Sequence, residues 1–214
     1  MSTFPALSIC FILWCLCFSH VDCYPRGSPW TGCFDGNPIH KTKESNRTVP
    51  YDPQPAATNP FTFTTDSTTY KPGKSLRVSI RVSISADNGT YFEGYFLQAR
   101  SVSTATPVGA FTGLPALSQF LLCVTPSDSS TGKYSFDSVT HTGEEHKEAA
   151  TFVWTAPEKC VGDISFIGSV AIKHSTFYTD MTSSIITCKA GCLQANIGVL
   201  ALSTVVALLY KTTE

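Results

Sequence analysis

His141, Glu144, Glu145 and His146 form the densest group of metal-type ligands in this sequence. Imidazole and carboxylate suit several divalent metals, so the first question is whether the group can close on an ion. His141 and His146 are five residues apart, which does not place them on one helix face as an i, i+4 pair would be. On a loop the two can converge, with His40 or His174 as further candidates to join them. The expectation is a solvated polar loop, with no metal and no cofactor. Other catalytic patterns are missing. There is no Gly-x-Ser-x-Gly elbow and no Gly-rich phosphate loop. Ser, His and Asp residues occur, but their spacing singles out no triad. Glu93, Asp128 and Asp137 are scattered, and nothing pairs any two of them for acid–base work. The expectation is a protein that is not an enzyme.

What remains is surface, and surface is set by the strands. Ser75 to Thr90 reads SLRVSIRVSISADNGT. Leu76, Val78, Ile80, Val82 and Ile84 give one face to a core, while Arg77, Ser79, Arg81, Ser83 and Ser85 face outward. Asn88-Gly89 offers the positive-φ residues of a tight hairpin, leading into a strand over Tyr91–Ser101. On that arrangement Arg77, Arg81 and Arg100 would make a basic stripe for anionic headgroups or microbial polymers. Tyr91, Phe92, Tyr95 and Phe96 are a dense aromatic run. One alternate pair must face the core, with the other covered by the N-terminal segment or offered to a partner.

Further strand signals recur at short intervals: Phe61 onward, Phe120–Val124, Tyr134–Thr140, Ala150–Thr155, Ile164–Ile172 and Ser184–Cys188. Glu144–Ala150 is the one internal helical candidate, and it is short. About eight short strands separated by turns argue a β-sandwich. Tyr24–Pro60, rich in Pro, reads as an extended, looping segment, because each proline removes a ladder donor. Trp154 reads as a core pillar whose indole N–H needs a partner. Gly94 marks a bulge or a close backbone approach.

Charged residues make up 14% of the chain and the net charge is −1, against about 25% charged for typical soluble domains. No Lys/Arg run occurs, so nucleic acid is not an expected partner. Residues 1–23 read as a signal peptide, with a short apolar core at Phe11–Phe18. The apolar run 197–210, after a spacer at 188–196, would be about 21 Å long as a helix, short of the roughly 30 Å hydrocarbon core. It is read either as a lipid-anchor signal or as a short membrane helix, so the tail is expected to tether the chain. Asn46 and Asn88 begin N-glycosylation sequons. Nine cysteines fall to five once the leader is removed: Cys33, Cys123, Cys160, Cys188 and Cys192. None makes a Cys-x-x-Cys pair. Two disulfides in an oxidising compartment are expected, and four cysteines allow three pairings.

Several motifs in order resemble one family. They are Tyr24-Pro25, the FEGYFLQAR core of Tyr91–Arg100, Gly109-Ala110-Phe111, Val139-Thr140-His141, and FVWTAP at 152–157 followed by Gly162 to Phe166. Together they resemble the reeler (reelin N-terminal) domain across residues 24–187. The resemblance implies an immunoglobulin-like antiparallel β-sandwich of eight or nine strands, with pairings Cys33–Cys123 and Cys160–Cys188. It supplies no metal ligand to carry over. Family members include secreted insect defence proteins, the N-terminal modules of reelin and F-spondin, and the lumenal part of ferric-chelate-reductase-like proteins. Reductase activity in the last group belongs to a multi-helix haem-binding membrane region, which this chain has no room for. The short chain looks most like the defence branch. That implies an extracellular, non-enzymatic protein binding microbial surface polymers. The alternative is a tethered adhesion or receptor module for extracellular proteins.

Overall fold

The computed structural model describes residues 26–44, 47–83, 86, 89–123 and 136–189. The expected signal peptide, Asn46, Asn88, Cys192 and the apolar tail lie outside the described residues. Among the described residues no helix is long and apolar enough to cross a membrane.

Among the described residues thirteen strands run in chain order: β1 (Lys41–Glu44), β2 (Arg47–Pro50), β3 (Phe61–Thr65), β4 (Thr69–Tyr70), β5 (Ser75–Val82), β6 (Gly94–Ser101), β7 (Ala110–Gly113), β8 (Ser118–Leu121), β9 (Ser138–His141), β10 (Ala149–Thr155), β11 (Ile164–Lys173), β12 (Thr176–Thr182) and β13 (Thr187–Cys188). Nine of them build two antiparallel sheets, β3-β5-β10-β7 and β12-β11-β6-β9-β8. The sheets face each other across one core, in an immunoglobulin-like sandwich. β1–β2 form a separate hairpin, and β13 pairs with β4 in parallel.

Period-two burial is clearest in β3 and β10, where apolar residues turn inward and threonines outward. From β5 come Leu76, Val78 and Ile80, from β10 Phe152 and Trp154, and from β6 Leu97 and Ala99, all in one cluster. Trp154 is fully buried, and its indole N–H donates to the Val108 carbonyl at 3.0 Å. Its ring crowds Gly109, whose φ of +68° and contact with the indole leave no space for a side chain.

Several expectations are corrected. β5 and β6 do not form a hairpin; they lie in opposite sheets. Gly89 does adopt a positive φ of 86°, but the strands on either side of it belong to different sheets. β5 ends at Val82, and Ile84, the last residue of the expected inward face, lies outside the described residues. Ser79 is buried instead of facing water, and its Oγ lies 2.8 Å from Thr151 Oγ1 on β10. Phe92 and Tyr95, three residues apart, both enter the core, because a bend at Glu93 interrupts the alternation. Phe96, also fully buried, faces the other side of β6, where Gly32 of the N-terminal arm packs against it.

Glu144–Ala150 is not helical. Phe92 and Lys147 bridge there, and the Lys147 ammonium donates to the carbonyls of Glu93, Gly143 and Glu145 at 2.7–3.0 Å. Three carbonyls around one buried cation hold this loop extended. β12 is an additional strand. Its buried residues Phe177, Tyr178 and Met181 break alternation because the β11–β12 ladder shifts register twice and Asp180 takes a φ of +56°. Asn37 of the arm clasps that residue, with Nδ2 donating to Asp180 Oδ1 and Oδ1 accepting from the Asp180 N–H.

Among the described residues two disulfides clamp the sandwich. Cys33 joins Cys123 (Cα–Cα 5.2 Å) and Cys160 joins Cys188 (5.8 Å). The first fastens the arm over β6; the second fastens β13 to the segment before β11.

Candidate functional site

The arm, residues 26–44 and 47–60, packs against the large sheet, and a pocket of about 70 Å³ opens beside it. Gly27, Pro29, Pro38 and His40 come from the arm, Glu93 to Tyr95 from the start of β6, and Lys173 and His174 from the β11–β12 turn. His141, at the end of β9, also lines it, as does Glu144. The pocket exists because β6 is covered on both faces, by the core within and by the arm without.

Each histidine is held differently. His141 Nδ1 lies 3.2 Å from the Tyr95 backbone nitrogen and 3.2 Å from Thr140 Oγ1. The missing side chain at Gly94 admits the imidazole: a Cβ there would sit 3.0 Å from His141 Cε1. Gly94 is therefore a place of close approach. His174 Nε2 donates to the Lys41 carbonyl at 2.8 Å, tying the turn to the arm. His40 stacks on Phe177 with ring centroids 4.2 Å apart, and its ring lies 5.2 Å from that of His174. Tyr95 closes one wall; burial pushes its phenol up to about 12 although Ser118 Oγ is bonded to it.

His146 is not part of this group. It stacks on Tyr91 at 3.5 Å, with Nε2 3.5 Å from Glu93 Oε1. His141 and His146, the metal candidates of the sequence, are therefore not brought together; His141 instead lines the pocket with His40 and His174. Among the described residues no group of three or more His, Cys, Asp or Glu side chains is placed so that it could hold a metal ion.

Burial first, then the neighbouring His174 and His141, lower the His40 imidazole from 6.5 to about 4. His40 is therefore neutral near pH 7. As pH falls from about 6.5 towards 4 the unfolded chain gains a proton that the folded His40 refuses. Stability is lost through that window and the loss levels off below it. After discounting for partial solvent screening the expected loss is on the order of 2 kcal/mol. Urea melts at pH 7 and pH 4.5 should show it, and His40→Gln should flatten the difference. Equal pH dependence in both proteins would contradict the assignment.

The expected stripe of Arg77, Arg81 and Arg100 does not form, since β5 and β6 belong to different sheets. Arg100 is a fastening for the arm. Its Nη1 and Nη2 donate to the carbonyls of Phe34 and Cys33 at 2.9 and 2.7 Å, and its Nε donates to Gln98 Oε1 at 2.7 Å. Gln98 passes the network on to Ser138, whose Oγ lies 3.0 Å from Cys123 Sγ. Arg77 and Arg81 are exposed on the outer face of the smaller sheet. Four residues of strand rise separate them by about 13 Å. Around them the face carries hydroxyls: Ser75 with Thr155 and Thr155 with Thr112 stand 2.9–3.1 Å apart, and Thr151 is exposed next to the buried Ser79.

Fold and site together define a disulfide-clamped β-sandwich module with a pocket beside the arm and an arginine-bearing outer face on the smaller sheet. Residues 33–192 match the Reeler domain, and the chain belongs to that family. It is 31% identical over 164 residues to "Putative defense protein 3" of Antheraea mylitta, covering 77% of this chain and 86% of that one. To "Putative ferric-chelate reductase 1" of Danio rerio it is 29% identical over 171 residues. That similarity covers 79% of this chain but only 26% of the zebrafish protein. Among solved structures, the Reelin-N domain of F-spondin aligns at a TM-score of 0.47 and 20% identity, over 62% of this chain and 88% of that domain.

Proposed function

We propose that this protein is a non-enzymatic, extracellular defence-type Reeler protein whose smaller sheet binds anionic polymers of microbial surfaces. The observation that carries the reading is the outer face of β5 and β10: two exposed arginines with the hydroxyls of Ser75, Thr151 and Thr155 on the same strands. Guanidinium groups pair with phosphate or carboxylate in a two-pronged manner, and hydroxyls both donate and accept to sugar. A rigid sheet keeps the arginines at a fixed spacing, which lowers the ordering cost of binding a repeating polymer. The similarity to an insect defence protein over most of both chains supports the same direction. In this reading the chain works outside the plasma membrane, and its apolar tail is the tether.

The test is binding of the purified full chain to lipopolysaccharide, peptidoglycan and whole bacteria at two salt concentrations. Arg77→Ala with Arg81→Ala should weaken binding about tenfold or more, equivalent to about 1.4 kcal/mol. Added salt should weaken the parent more than the variant. Equal binding by a folded double variant, or no binding by the parent, would overturn the reading.

A further inference from the structure

Eight large apolar side chains are exposed among the described residues, and they are unevenly shared between the two ends of the sandwich. Trp30, Phe34, Val102, Leu122, Phe136 and Ile185 lie at one end, while Ile39 and Leu117 belong to the other. The strand ladders fix which end this is. β6 finishes there at Ser101, opposite Ile164 at the start of β11. β8 finishes there at Leu121, opposite Ser138 at the start of β9. Val102 and Leu122 follow those strand ends directly. Phe136 comes just before β9, its carbonyl accepting from the Phe111 N–H, and Ile185 precedes Ile186, which bridges Ile164. Phe34 is held at this end by Arg100, which donates to its carbonyl, and the Trp30 ring stands 5.0 Å from that of Phe34. Apolar residues scattered singly over a surface are ordinary, but these are polarised.

The same end is where the chain leaves. β13 stops at Cys188, bonded to Cys160 and paired with Tyr70. The Lys189 N–H donates to the Tyr70 carbonyl at 2.7 Å, which fixes the last described residue to this end. Ile197, where the apolar run begins, is eight residues further on. At full extension eight residues span no more than about 29 Å. The ten residues of β11 span roughly 33 Å. A domain standing the other way up would hold Lys189 about that far above a bilayer, beyond the reach of the connection. Lys71, Lys74, Lys159 and Lys189 are exposed on the turns of this end, with the carboxylates of Glu158 and Asp163 among them. Tryptophan, with an apolar ring and a polar N–H, concentrates at the level of lipid headgroups. Lysine lays its apolar stem along such a surface while its ammonium stays with water and phosphate.

We propose that this end of the sandwich rests on a phospholipid bilayer, with Trp30, Phe34 and Ile185 entering the headgroup layer. Resting on the reading of the tail as a tether, this orientation adds how the domain stands. The pocket, lined by Gly94, His141 and Lys173 from the opposite ends of β6, β9 and β11, lies at the end away from the membrane. Arg77 and Arg81 stand on a side wall.

The test uses the chain's own fluorescence. Of three tryptophans, Trp14 falls in the expected signal peptide, Trp154 is fully buried and Trp30 is 66% exposed. The full chain carrying Trp14→Phe is purified in detergent and incorporated into phosphatidylcholine vesicles. Flotation with the vesicles reports the tether, and lipid brominated close to the headgroup reports contact. Brominated lipid should quench the Trp30 emission about twofold or more, and Trp30→Phe should abolish that quenching. Ile185→Trp in the Trp30→Phe protein should restore it, whereas Ile39→Trp, at the far end, should not. A chain that floats with Trp30 unquenched would overturn the orientation and leave the tether standing. Equal quenching in Ile185→Trp and Ile39→Trp would also overturn it. So would shielding of Trp30 from aqueous iodide without quenching by lipid, the mark of a protein partner or a second copy. A chain that does not float removes the tether and the orientation together, while the arginine-face assay is independent of both.

Discussion

Replacing Cys33 and Cys123 together by serine is expected to lower stability by as much as about 4.6 kcal/mol on the chain-entropy account, because the bond spans 90 residues. The consequence goes beyond the unfolded chain. Cys33 ends the turn Trp30–Cys33, which lies over β6 next to Phe96. Arg100 grips the Cys33 and Phe34 carbonyls, but hydrogen bonds at a partly exposed site contribute only about 1–3 kcal/mol. Without the covalent pin the arm should open, exposing Phe96 and dismantling the pocket. Urea unfolding should therefore report the stability loss, and limited proteolysis should cut the arm under native conditions. The corresponding change at Cys160 and Cys188, 28 residues apart, is expected to cost up to about 3.6 kcal/mol and leave the arm resistant. A protease-resistant arm in the first variant would show that packing alone holds it.

Gly168→Ala is expected to be the most damaging single methyl group in the large sheet. Gly168 stands opposite Leu97 in the β11–β6 ladder, and a Cβ at that position would overlap the carbonyl of Phe96. The obstacle is backbone in the next strand, so no side-chain rotation relieves it. The two strands must separate at the middle of the sheet. A cost of about 3 kcal/mol is expected, or a melting temperature lower by roughly 6–12 °C for a domain of this size. Gly162→Ala is the control. Its φ of +83° disfavours a side chain, but nothing lies within 4 Å of the added atom. That substitution should cost about 1 kcal/mol. Similar losses in both variants would mean that backbone conformation, not the close approach of β6 and β11, sets the requirement.

The amino-acid sequence by itself determined the all-β class, most strand positions and the core role of Trp154. These follow from alternation, a local property: one side of each strand must be apolar wherever one face is buried. Phe61–Thr65 and Ala149–Thr155 were legible to within a residue for that reason. The motif series also identified the family. Tertiary structure alone decided which strands pair. β5 and β6 look like a hairpin in sequence, because Asn88-Gly89 has turn chemistry whether the next strand returns to the same sheet or crosses to the other. Once they are placed in opposite sheets, Arg100 leaves the arginine face and becomes a fastening for the arm. β12 escaped detection because two register shifts and the left-handed Asp180 erase the period of two. The histidine group was only half visible, since His40, His141 and His174 are brought together by the arm folding back over the sheet. Sequence distance carries no record of such a contact, which depends on covering the outer face of β6 and on the disulfide that holds the cover in place.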